Sequence, residues 1–160
     1  MKYVKKIWTI MMILSLVMSM LPEREIQAKD SNKTVKIVVE NKTIQAGQEF
    51  TVDFSVKNNP GILGAGLTVV FDSQLTLTKA ESGEAFSPLV MTKPGNMKSP
   101  YKVVWDGVEI SGDDVKDGTI LSLTFKASSE VTPGDKLKFE VTSEQGEIVD
   151  SNLNPLDVEI

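Results

Sequence analysis

The chain has 160 residues, 41% of them hydrophobic, a formal net charge of −5, and neither histidine nor cysteine. Without histidine the commonest general base, nucleophile activator and transition-metal ligand are missing, and without cysteine no disulfide or lipidated-cysteine anchor can form. The acidic balance disfavours nucleic acid and anionic membranes, so a neutral or basic partner is expected.

At the start, Lys2, Lys5 and Lys6 precede an apolar run over residues 7–21 and a polar piece ending Ile26-Gln27-Ala28. This is the pattern of a secretory signal peptide, with cleavage expected after Ala28. The apolar run is about fifteen residues, short of the roughly twenty that span a bilayer; an uncleaved N-terminal anchor is the competing reading. Removing residues 1–28 takes away four basic and two acidic side chains and leaves 132 residues with a formal charge of −7. That is enough chain for one domain whose core must offset chain entropy without covalent help. The expected location is extracellular or at the cell surface.

Residues 29–33 (KDSNK) are a polar lead-in, and one domain is expected over 34–160. Side chains in a pleated strand point alternately to opposite faces, so Val35, Ile37 and Val39, alternating with Lys36, Val38 and Glu40, predict a first strand. After the Ala46-Gly47 turn, Phe50, Val52, Phe54 and Val56 alternate with Thr51, Asp53, Ser55 and Lys57 in a half-buried second strand. Residues 59–72 read NPGILGAGLTVVFD, a proline-glycine turn running into a third strand. Leu63, Ala65, Leu67, Val69 and Phe71 face one way; Gly64, Gly66, Thr68 and Val70 face the other. Two glycines on one strand face indicate close approach by another backbone or surface, or else a bulge. In the next strand Leu75, Leu77 and Lys79 are expected to share a side.

Gly83, Pro88, Pro94, Gly95 and Pro100 punctuate a loop in which only Leu89-Val90-Met91 reads as a strand. Alternation returns in Tyr101-Lys102-Val103-Val104-Trp105-Asp106 and again where Leu121, Leu123 and Phe125 oppose Ser122, Thr124 and Lys126. Pro133-Gly134-Asp135 turns the chain into Leu137, Phe139 and Val141, alternating with Lys138, Glu140 and Thr142. A short run Glu147-Ile148-Val149 and a last strand with Leu156, Val158 and Ile160 on one side complete the chain. About nine short strands with Gly/Pro turns, no helix and no internal repeat predict an all-β, antiparallel β-sandwich with jelly-roll topology.

This succession resembles the cohesin domains of cellulosomes across residues 34–160. The resemblance is carried by the first strand, by Ala46-Gly47-Gln48-Glu49-Phe50-Thr51-Val52, by NPGILGAGLTVVFD with Leu75-Thr76-Leu77, by Tyr101-Lys102-Val103-Val104-Trp105-Asp106, by GTILSLTFK over 118–126, and by the tail from Val149-Asp150-Ser151-Asn152 to Ile160. It implies a nine-stranded sandwich that binds dockerins, the small calcium-loop helical modules attached to polysaccharide-degrading enzymes, and it implies no catalysis and no cofactor. It places the partner on the sheet holding 64–71, 89–92, 102–106 and 138–142. The outward positions there are Gly64, Gly66, Thr68 and Val70; Lys102, Val104 and Asp106; and, more loosely, Lys138, Glu140 and Thr142. Some cohesins carry Asn and Asp where Gly64 and Gly66 stand, so the dockerin type does not transfer. Val70 and Val104 would form an apolar centre and the charged residues a rim.

Other chemistries fit less well. Trp105 and Tyr101 are the only Trp and Tyr after residue 28; they share a face with Val103, so core packing is expected, with an exposed sugar platform as the alternative. That alternative, a small exported carbohydrate-binding module, would need a row of exposed aromatics. The acidic loop 106–118 fails the calcium-loop pattern: starting at Asp113, Val115 falls at position 3 and Thr124 at position 12, where oxygen ligands are needed. Carboxylates are plentiful enough for a chance glycosidase pair, but no aromatic-lined cleft is evident beside one. Two sequons, Asn32-Lys33-Thr34 and Asn41-Lys42-Thr43, would matter only in a eukaryotic secretory pathway. The expectation is therefore a secreted, monomeric docking module for dockerin-bearing enzymes.

Overall fold

Alternating apolar and polar side chains become strands only where backbone pairing can be completed, and the computed structural model shows where that happens. It describes residues 34–108 and 110–160; the expected signal peptide and lead-in lie outside the described residues. The strands are β1 (Val35–Val39), β2 (Glu49–Lys57), β3 (Ala65–Phe71), β4 (Leu75–Ser82), β5 (Leu89–Thr92), β6 (Tyr101–Gly107), β7 (Gly118–Ala127), β8 (Phe139–Thr142) and β9 (Val158–Glu159). They form a five-stranded sheet in the order β4-β7-β2-β1-β9 and a four-stranded sheet in the order β5-β6-β3-β8. Only β1 to β2 and β5 to β6 connect neighbours within a sheet, and every other connection crosses from one sheet to the other. That crossing pattern is the jelly roll. Pairing is antiparallel except for β1 with β9, which run parallel, Val35 opposite Val158.

The inner rows are those that alternation predicts. Val52, Phe54 and Val56 of β2 and Leu121, Leu123 and Phe125 of β7 face Leu67, Val69, Phe71, Tyr101, Val103 and Trp105 across the sandwich, all buried. Burial of one such side chain contributes about 1.5–3 kcal/mol. Edge-to-face aromatic pairs order this core: Phe71 on Phe125 with ring centroids 5.0 Å apart, and Phe86 on Trp105 at 5.5 Å. The Trp105 indole nitrogen donates to Ser82 Oγ at 3.1 Å, which satisfies its one polar atom inside the protein. Burial pushes the Tyr101 hydroxyl above its ordinary pKa.

Three local expectations differ from the structure. The register of β4 against β7 shifts between Leu77 and Lys79; the bulge reverses parity, so Lys79 is exposed and Ala80 takes the buried position. Residues 147–149 form no strand. Val149 makes isolated bridges to Gly64 and Pro155, while Ile148 is buried in the core. The last strand is shorter than its apolar pattern because Leu156 N donates to Ile148 O at 2.9 Å rather than to β1.

Candidate partner-binding face

The outer surface of the four-stranded sheet is a grid fixed by pairing register. Val104 on β6 stands opposite both Gly66 on β3 and Thr92 on β5. Lys102 faces Thr68, which faces Thr142 on β8, and Val70 faces Glu140. Asp106 faces Val90. Residues directly opposite in a ladder share a face, so the structure brings Gly66, Thr68, Val70, Lys102, Val104, Asp106, Glu140 and Thr142 onto one surface. Lys138 lies just ahead of β8, where its carbonyl accepts from Asp72 N at 2.9 Å. Thr68, Val70 and Val104 are half-buried among exposed Lys102, Asp106, Lys138, Glu140 and Thr142.

The glycine end of this face differs from the expectation of an open floor. The segment 144–149 folds back over the start of β3: Leu63 N donates to Val149 O and Val149 N to Gly64 O, both at 3.0 Å. Gly66 is buried, and a Cβ added there would meet Glu147 Cβ and Cδ at 3.2 Å. A Cβ at Gly64 would stand 3.5 Å from Val149 Cγ2. The close approach that the glycines signal is therefore made by the chain's own later segment, and Gly64 and Gly66 are covered on that side.

Glu147 has no signal in the sequence as a surface determinant, because its place depends on contacts with residues far along the chain. Its side chain is only 17% exposed and forms an ion pair with Lys102, which is 51% exposed. Burial alone would raise the Glu147 pKa, but the Lys102 hydrogen bond, the Glu144 N–H at 2.9 Å and the Lys102 charge together hold it below the ordinary carboxylate range. The same hydrogen bond and charge raise Lys102. Lys138 Nζ lies 3.2 Å from Glu140 Oε2. Sequence reading also passed over Val90, 64% exposed, and Thr92; the parity of Leu89-Val90-Met91 points Val90 to the outer row and could have found it.

Among the described residues no aromatic side chain is exposed, and no group of three or more acidic residues is arranged to hold a metal ion. The acidic loop folds into a short 3-10 turn, Gly112–Asp114. A cleft of about 640 Å³ opens between the sheets beside β8, walled by Ile37, Val39, Phe50, Phe139, Val141 and Ile160; it is separate from the outer face.

The family model described as the cohesin domain matches residues 35–160. Among solved structures, the chain is similar to the OlpA cohesin of Clostridium thermocellum, determined in a type I cohesin–dockerin complex, at 21% identity and a TM-score of 0.60, over 79% of this chain and 94% of that one. It is similar to the sixth cohesin of scaffoldin B from Acetivibrio cellulolyticus, determined with a mutant dockerin, at 19% identity and a TM-score of 0.64, over 79% and 94%. It is also similar to a type III cohesin module from the cellulosomal ScaE cell-surface anchoring scaffoldin of Ruminococcus flavefaciens, at 18% identity and a TM-score of 0.65, over 81% and 80%. A search of the curated proteins found no match. These solved structures share the two-sheet fold, and the family model spans it from the first residue of β1 to Ile160: the chain belongs to the cohesin family.

Proposed function

We propose that this protein is a noncatalytic, exported docking module that holds the dockerin of a polysaccharide-degrading enzyme on the outer face of its four-stranded sheet, within a cellulosome-type complex. The observation that carries the reading is the face itself: half-buried Thr68, Val70 and Val104 at the centre, with exposed charged residues around them, in a chain of this family. Val90 and Thr92 extend that face across β5, while Gly64 and Gly66 contribute through the segment packed on them. A sheet backed by a full core loses little entropy when a partner lands, so more of the contact energy appears as affinity. A standard interface hides about 800 Å² per partner, an area on the scale of four adjacent strands.

Direct sugar binding is less well supported, since Trp105 and Tyr101 are both core residues and stacking a sugar ring requires an open aromatic face. The test is a binding screen of the purified protein against a panel of dockerins of different types. Saturable 1:1 binding to one or more of them is expected, with the protein itself a monomer. Retention on insoluble cellulose, xylan or starch without any partner, together with silence across the panel, would replace the docking reading with the carbohydrate-binding one.

A further inference from the structure

The charged groups on the outer face do not contribute equally to its field. Lys138 is answered by Glu140 and Lys102 by Glu147. Asp106 forms no ion pair among the described residues, and the Glu144 carboxylate acts on Lys102 only through its field. Both cations on this surface are therefore neutralised within the chain, and the charges left over are negative.

Glu147 is built into place. Ile148 beside it is a core residue, Val149 is bridged to Gly64, and Glu147 N donates to Glu144 O at 3.0 Å, closing the turn that carries it. Gly66 leaves room for the side chain to lie flat on β3. From there it reaches Lys102, opposite Thr68, and cancels its charge.

Resting on the docking reading, we infer that Glu147 is a specificity-determining residue: by neutralising Lys102 it deepens the negative charge of the docking face, which favours dockerins whose contact surface is basic over those whose contact surface is acidic. Charge complementarity across an interface governs encounter rate and partner choice more than raw affinity, and like charge facing like charge is one device for rejecting a wrong partner. Glu147 acts through Lys102, so exchanging both at once should restore the charge balance that either exchange alone disturbs.

The experiment measures association rates at low and high salt for the tightest-binding basic-faced dockerin of the panel and for an acidic-faced one, using wild type, Glu147→Gln, Lys102→Gln and the double variant. Thermal melts confirm that each is folded. For the basic dockerin at low salt, Glu147→Gln should slow association about three- to tenfold, Lys102→Gln should speed it, and the double variant should return close to wild type. The acidic dockerin should show the opposite order, and high salt should compress all the differences. If both single variants slow association and the double variant is not rescued, the pair only shapes the surface and the inference is overturned. If dockerins bind irrespective of their charge, the inference falls while the docking reading stands; if none binds, both fall.

Discussion

The two ends of the outer row of β3 started from the same pattern and reached different fates. Thr68 and Val70 remain at the surface between β6 and β8, whereas Gly64 and Gly66 are overlaid by 144–149. Parity decides which side of a sheet a residue occupies, but not what covers it there. A glycine announces that something comes close; whether that is a partner or the same chain is settled by the path of a segment far away in sequence.

The inner row sets the scale for disturbing this arrangement. Leu67 is fully buried opposite Val103, and Leu67→Asp would place an unpaired charge in the core, a change of more than about 4 kcal/mol against a domain stability of about 5–15 kcal/mol. No cooperative melt is expected by calorimetry or circular dichroism. A stable, melting Leu67→Asp protein would mean that the two faces of β3 are assigned the wrong way round.

Gly66→Val probes the covered end. Its Cβ would already crowd Glu147, and the two further methyl groups press on a segment that Ile148 anchors to the core. A loss of about 1–3 kcal/mol is expected in denaturant unfolding, as for overpacking generally. Glu147→Ala in the same chain should recover only part of it, because alanine removes the crowding Cδ but keeps the Cβ at 3.2 Å. If Gly66→Val instead gains stability, as strand propensity alone would favour, then 144–149 does not pack on β3 as described.

Val70→Asp probes the open end, and its stability effect is smaller. The aspartate would sit at the surface opposite Glu140, where like-charge pairing and low strand propensity together amount to about 1 kcal/mol. Its binding effect should be large: dockerin affinity is expected to fall at least about tenfold in calorimetric titration, as when a charge enters the apolar centre of an interface. A larger loss of melting temperature in Val70→Asp than in Gly66→Val would erase the distinction between the two ends.

Much of this fold is legible from alternation alone, because a half-buried strand must repeat every second residue. The inner rows of β2, β3 and β6 follow that rule, as does β7 from Leu121 onward; a register shift between β2 and β7 at Phe54 and Ser55 leaves Ile120 buried beside Leu121. It fails where backbone geometry intervenes: the bulge in β4 that turns Lys79 outward, and the carbonyl of Ile148 that captures Leu156 and shortens β9. The outer face was legible as a set of positions, including Lys102, Val104 and Asp106. Its state was not, since the Lys102–Glu147 pair joins residues 45 apart in sequence, across turns whose path no local pattern specifies.

The Lys102–Glu147 pair gives the smallest and most specific effect, visible as pH dependence. The folded-state pKa of Glu147 is lowered, so the stability it contributes is present above the ordinary glutamate range and is lost as pH falls through that range toward the folded value. The Asp135 pKa is also lowered, by hydrogen bonds from Thr132, so its contribution is likewise lost on acidification and the wild-type curve alone does not isolate Glu147. The difference between wild type and Glu147→Gln does, because Asp135 and the other carboxylates are common to both. Denaturant midpoints measured from pH 7 down to about pH 3 should converge for the two proteins as acid removes the wild-type advantage. Midpoints that stay parallel across that range would show that the Glu147 carboxylate is not stabilised by Lys102 in the folded protein, and the covered end of β3 would then be held by Ile148 and the Gly64–Val149 bridge alone.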